Sequence, residues 1–172
     1  MIRILFLDTS ALLSFFISDK GTPTMRWLIS SDNKAHNTTR YVINNQVIRE
    51  FEENLKALVR KNDIKQTTAD NILSLFNTHY KQCKFKITGK GATVDDTMDG
   101  MYNFLGQLSR PILVTSNTVR IENNKNYKII NPQTQSKDHI TLMLKGKEKH
   151  TENTDSNLYR RIFTRTRIAM SL

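Results

Sequence analysis

The sequence predicts an α/β protein, a three-layer α/β/α fold around a central parallel sheet. Three observations carry this. The chain opens on a strand-like run, Ile2-Arg3-Ile4-Leu5-Phe6-Leu7, that passes straight into an apolar, helix-like stretch. Pro111-Ile112-Leu113-Val114-Thr115 is a short continuous apolar run, as a strand buried on both faces requires. Between and after them, segments of helical periodicity alternate with short strand-like runs, the order that builds a parallel sheet covered on both faces.

Taken in order, the first helix follows Ser10 through Ala11, Leu12, Leu13, Phe15 and Phe16, and Asp19-Lys20-Gly21 breaks it. Thr22 suits an N-cap, with Pro23 at the first position of a short helix through Trp27-Leu28-Ile29. Residues 30–39 are polar and loop-like, and Tyr41-Val42-Ile43 reads as a strand. Asn44 or Asn45 then caps the clearest helix, whose buried face is marked by Val47, Ile48, Phe51, Leu55, Leu58 and Val59. A further helix begins near Thr67-Thr68 and is expected to bury Ile72, Leu75 and Phe76, with His79 at a core position. Phe85-Lys86-Ile87 fits a strand and Gly89-Lys90-Gly91 a turn. A helix over 93–108 should turn Val94, Met98, Met101, Tyr102 and Leu105 inward, and Lys128-Ile129-Ile130, stopped by Asn131-Pro132, is another strand. Ile140 to Leu144 suits either an edge strand or a short helix. The organisation expected is a domain over residues 1–136 and a basic, helix-compatible C-terminal extension over 137–172.

The chain has 172 residues, enough for one compact domain with a real core. No apolar run approaches the roughly 18 residues of a transmembrane helix. The N-terminal apolar run is interrupted by Asp8 and reads as a core strand, not a signal peptide. A single cysteine, Cys83, excludes an internal disulfide framework and a cysteine-cluster zinc site, so a cytoplasmic, reducing setting is expected. The formal net charge of +10 favours a polyanionic partner, nucleic acid above all.

The chemistry-bearing residues are acids. Asp8 stands at the carboxyl end of the first strand, where open α/β sheets bind their ligands. Burial of its carboxylate there requires a cation or hydrogen bonds. Its competing role is to cap the following helix, as Thr9 or Ser10 also can. Glu50 lies three residues after Val47, at the edge of its helix's buried face. Asp95, Asp96 and Asp99 form a third group. Asp95 and Asp96 suit a helix first turn, but Asp95 and Asp99 stack at i and i+4, where like charges repel unless a cation compensates. Asn117 follows the Pro111–Thr115 strand, in the crevice position that Asp8 holds after the first strand. Hard oxygen ligands of this kind suit Mg²⁺ or Mn²⁺, which activate water and stabilise a phosphodiester under in-line attack.

The order of these residues resembles a PIN domain, especially the VapC-type ribonuclease toxins. It runs from Asp8-Thr9-Ser10-Ala11-Leu12 after a first strand, through Glu50 in Val47-Ile48-Arg49-Glu50 and Asp99, to Leu113-Val114-Thr115-Ser116-Asn117. The resemblance covers roughly Ile2 to Pro132. It implies a metal-dependent endoribonuclease, in the setting of a toxin with an antitoxin partner. Asp8, Glu50 and Asp99 match the family's metal-binding acids and Asn117 its fourth position, which is often Asp. Because an amide binds a divalent ion more weakly than a carboxylate, Asp95 or Asp96 is a candidate to supply the missing charge. Ser10, Thr115 and Ser116 are candidates to position substrate or water. The basic C-terminal segment departs from a minimal PIN domain. Its Arg160, Arg161, Arg165 and Arg167 are candidates to contact RNA, against the alternative that the segment packs on the domain or on a second subunit of a homodimer.

Other classes fit less well. A haloacid-dehalogenase phosphatase needs a second Asp where Ser10 stands, and an integrin-like metal site is broken by Leu12. Gly89-Lys90-Gly91-Ala92-Thr93 lacks the spacing of a Walker phosphate loop. The four histidines, His36, His79, His139 and His150, have no ligand spacing. The alternatives retained are a PIN-like RNA-binding module that cleaves poorly, favoured by Asn117, and a structure-specific DNA nuclease of the flap-endonuclease type, for which the chain is short.

Overall fold

The computed structural model describes residues 3–30, 39–81, 85–87, 93–105, 111–122 and 127–145. Five strands, β1 (Arg3–Leu7), β2 (Thr39–Ile43), β3 (Phe85–Ile87), β4 (Ile112–Val114) and β5 (Lys128–Ile130), form one sheet in the order β3-β2-β1-β4-β5. Every pairing is parallel. Helices α1 (Thr9–Phe16) and α2 (Thr22–Ile29) connect β1 to β2, and α3 (Asn45–Arg60) and α4 (Gln66–Lys81) lie between β2 and β3. Helix α5 (Val94–Leu105) lies between β3 and β4, α6 (Thr118–Glu122) between β4 and β5, and α7 (Lys137–Lys145) comes last. The chain moves outward from β1 to β3, then returns to the other side of β1 for β4. Because crossovers between parallel strands take the right hand, those on either side of that reversal set their helices on opposite faces, which gives the three layers.

The sheet is the core. Leu5, Phe6 and Leu7 of β1, Ile43 of β2 and Leu113 and Val114 of β4 are completely buried. Helix α3 shows how a sequence pattern becomes packing. Asn44 caps it by accepting the Val47 N–H at 2.9 Å, and Val47, Phe51 and Leu55 then point inward one turn apart. In α4 the inward residues are Ala69, Ile72 and Phe76. Leu75, expected inside, is exposed, because it sits one position before Phe76 on the neighbouring flank of the helix. Helix α2 begins one residue earlier than a Thr22 cap implies. Gly21 is its N-cap, and Asp19 Oδ1 takes the N–H groups of Gly21 and Thr22 at 2.7 and 3.0 Å. Tyr41 of β2 donates its hydroxyl to the Leu28 carbonyl, and burial pushes that phenol well above its ordinary range.

Ile140 to Leu144 is helical, within α7. Ile140 and Leu144 join the core cluster, so the packed body continues through this helix. Two basic side chains from the amino ends of strands serve its last carbonyls. Arg3 Nε donates to Leu144 O at 2.7 Å and Lys128 Nζ to Met143 O at 3.2 Å, the sign a helix carboxyl terminus favours. The Gly89-Lys90-Gly91 turn, Cys83 and the four C-terminal arginines lie outside the described residues. No helix among those described is long and apolar enough to cross a membrane.

Candidate active site at the sheet switch point

Because all five strands are parallel, the segments that follow them emerge at one edge. The strand order reverses between β1 and β4, and a crevice opens outside the carboxyl ends of such a pair. The register places Leu7 opposite Val114, and the Asp8 N–H donates to Val114 O at 3.0 Å. Asp8 and Thr115, the next residues of the two strands, therefore meet at the head of the crevice.

Asp8 is 3% exposed. Its Oδ1 accepts the Thr9 N–H at 2.9 Å and its Oδ2 accepts the Thr115 hydroxyl at 2.7 Å. The two roles weighed for Asp8, helix cap and crevice acid, are both realised. It caps α1 through Oδ1 and faces β4 through Oδ2. Ser10 and Thr115 are also in contact, Oγ to Oγ1 at 3.2 Å, and Ser10 Oγ accepts the Ser116 N–H at 3.0 Å. Ser10, Thr115 and Ser116 thus form one hydrogen-bonded group around Asp8.

Glu50 reaches the same edge from α3. Its Oε2 accepts the Thr9 hydroxyl at 2.6 Å and its Oε1 accepts Gln46 Nε2 at 2.6 Å. Thr9 is therefore the link between two acids 42 positions apart, giving its N–H to Asp8 and its hydroxyl to Glu50. Helix α5 is tied to the same frame. Gln46 Oε1 accepts the Val94 N–H at 2.9 Å, and Asn44 Nδ2 donates to Thr97 Oγ1 at 3.0 Å. Those two bonds set the first turn of α5, which carries Asp95, against the start of α3.

The three acids of α5 have different employments. Asp96 closes a capping box with Thr93. Its carboxylate takes the Thr93 hydroxyl at 2.7 Å while the Thr93 Oγ1 takes the Asp96 N–H at 3.0 Å. These bonds hold its carboxyl below the ordinary range. Asp95 accepts Arg120 Nη1 at 2.9 Å. Asp95 and Asp99 both lie near Tyr127, whose phenol is raised first by burial and then by these two charges. Asn117 is spent locally. Its Oδ1 accepts the Val119 N–H at 3.1 Å, as the N-cap of α6, and its own N–H donates to Thr115 Oγ1 at 3.0 Å.

Arg120 was not among the expected site residues. Its Nε lies 3.6 Å from Asp8 Oδ2, and its Nη1 holds Asp95, so one guanidinium joins the crevice acid to the α5 acid. The only sequence signal for it is its place, three residues after the Asn117 cap and so in the first turn beyond β4. Thr9 and Arg120 join Asp8, Glu50 and Asp95 at this edge, but the predicted acids do not share a centre. Among the described residues, no group of three acids or other ligands is close enough to hold a metal ion. In kind, the donors fit a hard divalent cation, since they are carboxylates beside hydroxyl oxygens with no thiolate or imidazole among them. Asp8 also already draws a cation to its side.

Comparison with protein-family models, with curated proteins and with solved structures finds no match for this chain.

Proposed function

We propose that the chain is a PIN-like, divalent-cation-dependent endoribonuclease whose centre is Asp8. The observation that carries this is a buried carboxylate at the β1/β4 switch point with a cation held beside it. Asp8, Glu50 and Asp99 would hold Mg²⁺ or Mn²⁺, with Asp95 next to them. Such an ion, when bound, activates water and stabilises charge on the phosphodiester. Thr115 holds Asp8 in one orientation through its hydroxyl, and Ser10 holds Thr115 in turn. Thr9 performs the same service between Asp8 and Glu50. A net charge of +10 supports RNA as the polyanion bound. The toxin of a toxin–antitoxin pair, acting in the cytoplasm with an antitoxin protein as partner and as a homodimer, is the biological setting this reading implies.

A second reading is a PIN-like module that binds RNA and cleaves it poorly. It is favoured by the engagement of Asn117 in capping and of Asp8 with Arg120. Purified full chain and Asp8→Asn, incubated with single-stranded RNA and Mn²⁺, separate the two. The first reading expects cleavage by the wild type and none above background by the variant. RNA binding without cleavage selects the second, and equal cleavage by both proteins overturns the role of Asp8. The tail is tested in the same assay format. Loss of residues 157–172, which include all four C-terminal arginines, should flatten the salt dependence of RNA affinity, because fewer counterions are released. An unchanged slope removes the tail from the RNA surface.

A further inference from the structure

On the basis of the divalent-cation reading above, we propose that Arg120 is the resident cation of the crevice and sets its metal affinity. In this assignment a divalent ion gains Asp8 only by displacing the Arg120 guanidinium. The argument starts from Asp8. A carboxylate 3% exposed is costly to keep ionised without a compensating charge. Two hydrogen bonds, from Thr9 and Thr115, offset part of that cost, and Arg120 supplies the charge at 3.6 Å.

The geometry makes Arg120 a clamp. Nε faces Asp8 while Nη1 donates to Asp95 at 2.9 Å, so the planar guanidinium spans the acid that follows β1 and an acid of α5. Two of the oxygens that a metal would use are therefore already turned toward a fixed positive charge. A divalent ion brought to Asp8 would stand a few ångströms from that charge, and the repulsion falls on the ion's affinity. The two ends of the clamp are unequal. The Asp95 side chain is 68% exposed and its pair with Arg120 is screened by water, whereas the Asp8 side chain is 5% exposed and its pair is not. The Arg120 side chain is itself 20% exposed, so it has a route outward that leaves it paired with Asp95 and clear of Asp8.

The test uses the full chain and Mn²⁺ alone as probe. Isothermal titration calorimetry should give Arg120→Met a Mn²⁺ affinity higher than wild type by about tenfold or more, since a like charge beside the ion is gone. The increase in melting temperature on adding Mn²⁺ should also be larger in the variant. A wild-type measurement keeps the test independent of how the variant folds. The Arg120 Nε–H resonance, followed by NMR during a Mg²⁺ titration, should move as the ion saturates the site. Equal Mn²⁺ affinity in the two proteins, or an Arg120 resonance unmoved by an ion that demonstrably binds, overturns the role of Arg120 and leaves the divalent-cation reading standing. If neither protein binds Mn²⁺ at millimolar concentration, that reading falls and this assignment falls with it.

Discussion

Glu50 and Phe51 are neighbours in the chain and belong to two different regions of the molecule. Glu50 faces the crevice, where Thr9 and Gln46 hold its two oxygens. Phe51 is completely buried among aromatic rings, 5.5 Å from Phe16 and 5.1 Å from Phe76 between centroids. Helix α1 divides in the same way. Its first turn delivers Thr9 and Ser10 to the crevice and its last turn delivers Phe15 and Phe16 to the aromatic cluster, with His79 edge-on to both rings. Two helices thus serve a directional polar site and a non-directional apolar core at once. The core is held by area removed from water, which tolerates repacking. The crevice is held by a few bonds of fixed length and angle, and each group left without its partner costs the desolvation it had avoided. The core should therefore govern stability, and the crevice should govern what the protein binds.

The largest effect on stability is expected at Phe51. Phe51→Ala removes a completely buried ring and should cost about 3–5 kcal/mol in chemical denaturation. Metal and RNA affinity per folded molecule should not change. A loss of less than about 1 kcal/mol would mean that the cluster collapses onto the cavity, and the contrast with the crevice would weaken.

Thr115 sharpens the comparison from the other side. Thr115→Val keeps the shape but leaves Asp8 without the hydroxyl that donates to Oδ2 at 2.7 Å, and Asn117 N–H without its acceptor. The expected cost is about 1–3 kcal/mol. Thr115→Ser should recover most of it, which loss of a packing contact would not explain. If Val and Ser behave alike, the hydroxyl is not what holds Asp8.

The smallest effect is expected at Asp96, an exposed acid used only for capping. Its carboxyl is held below the ordinary value of 3.8 by the Thr93 hydroxyl and N–H. A depressed folded pKa adds stability above the unfolded value, and that stability is lost as pH falls through the folded one. The stability gap between wild type and Asp96→Asn should therefore be present at neutral pH and shrink in acid, below the ordinary carboxylate range. Unfolding curves at a series of pH values check this. A gap that grows in acid would contradict the capping box.

Much of the fold was legible in residue order. Ile4 to Leu7 of β1 and Ile112 to Val114 of β4 have no polar interruption because both faces of those strands are covered, and α3 declares its inward face at helical spacing. Short segments were less legible. Ile140 to Leu144 is apolar enough for either a strand or a helix, and its packing through Ile140 and Leu144 decides for the helix. The five residues of α6 carry too little pattern to be read at all.

The site divides along the same line. That Asp8 stands at a strand end follows from residue order, because parallel strands deliver their carboxyl ends to one edge, whereas it is the pairing of β1 with β4 that gathers Ser10, Thr115 and Ser116 around it. Which acid touches which partner does not follow. Asp95, Asp96 and Asp99 are three acids on one helix. Asp96 is taken by a local cap with Thr93, three residues before it, but only the packing of α5 through Gln46 and Asn44 gives Asp95 to an arginine and sets Asp99 near Tyr127. The sequence by itself determined the sheet, its polar edge and the excess of positive charge. The tertiary structure alone decided that a guanidinium from α6 stands between Asp8 and Asp95, because charge pairing acts over a few ångströms and is blind to separation along the chain.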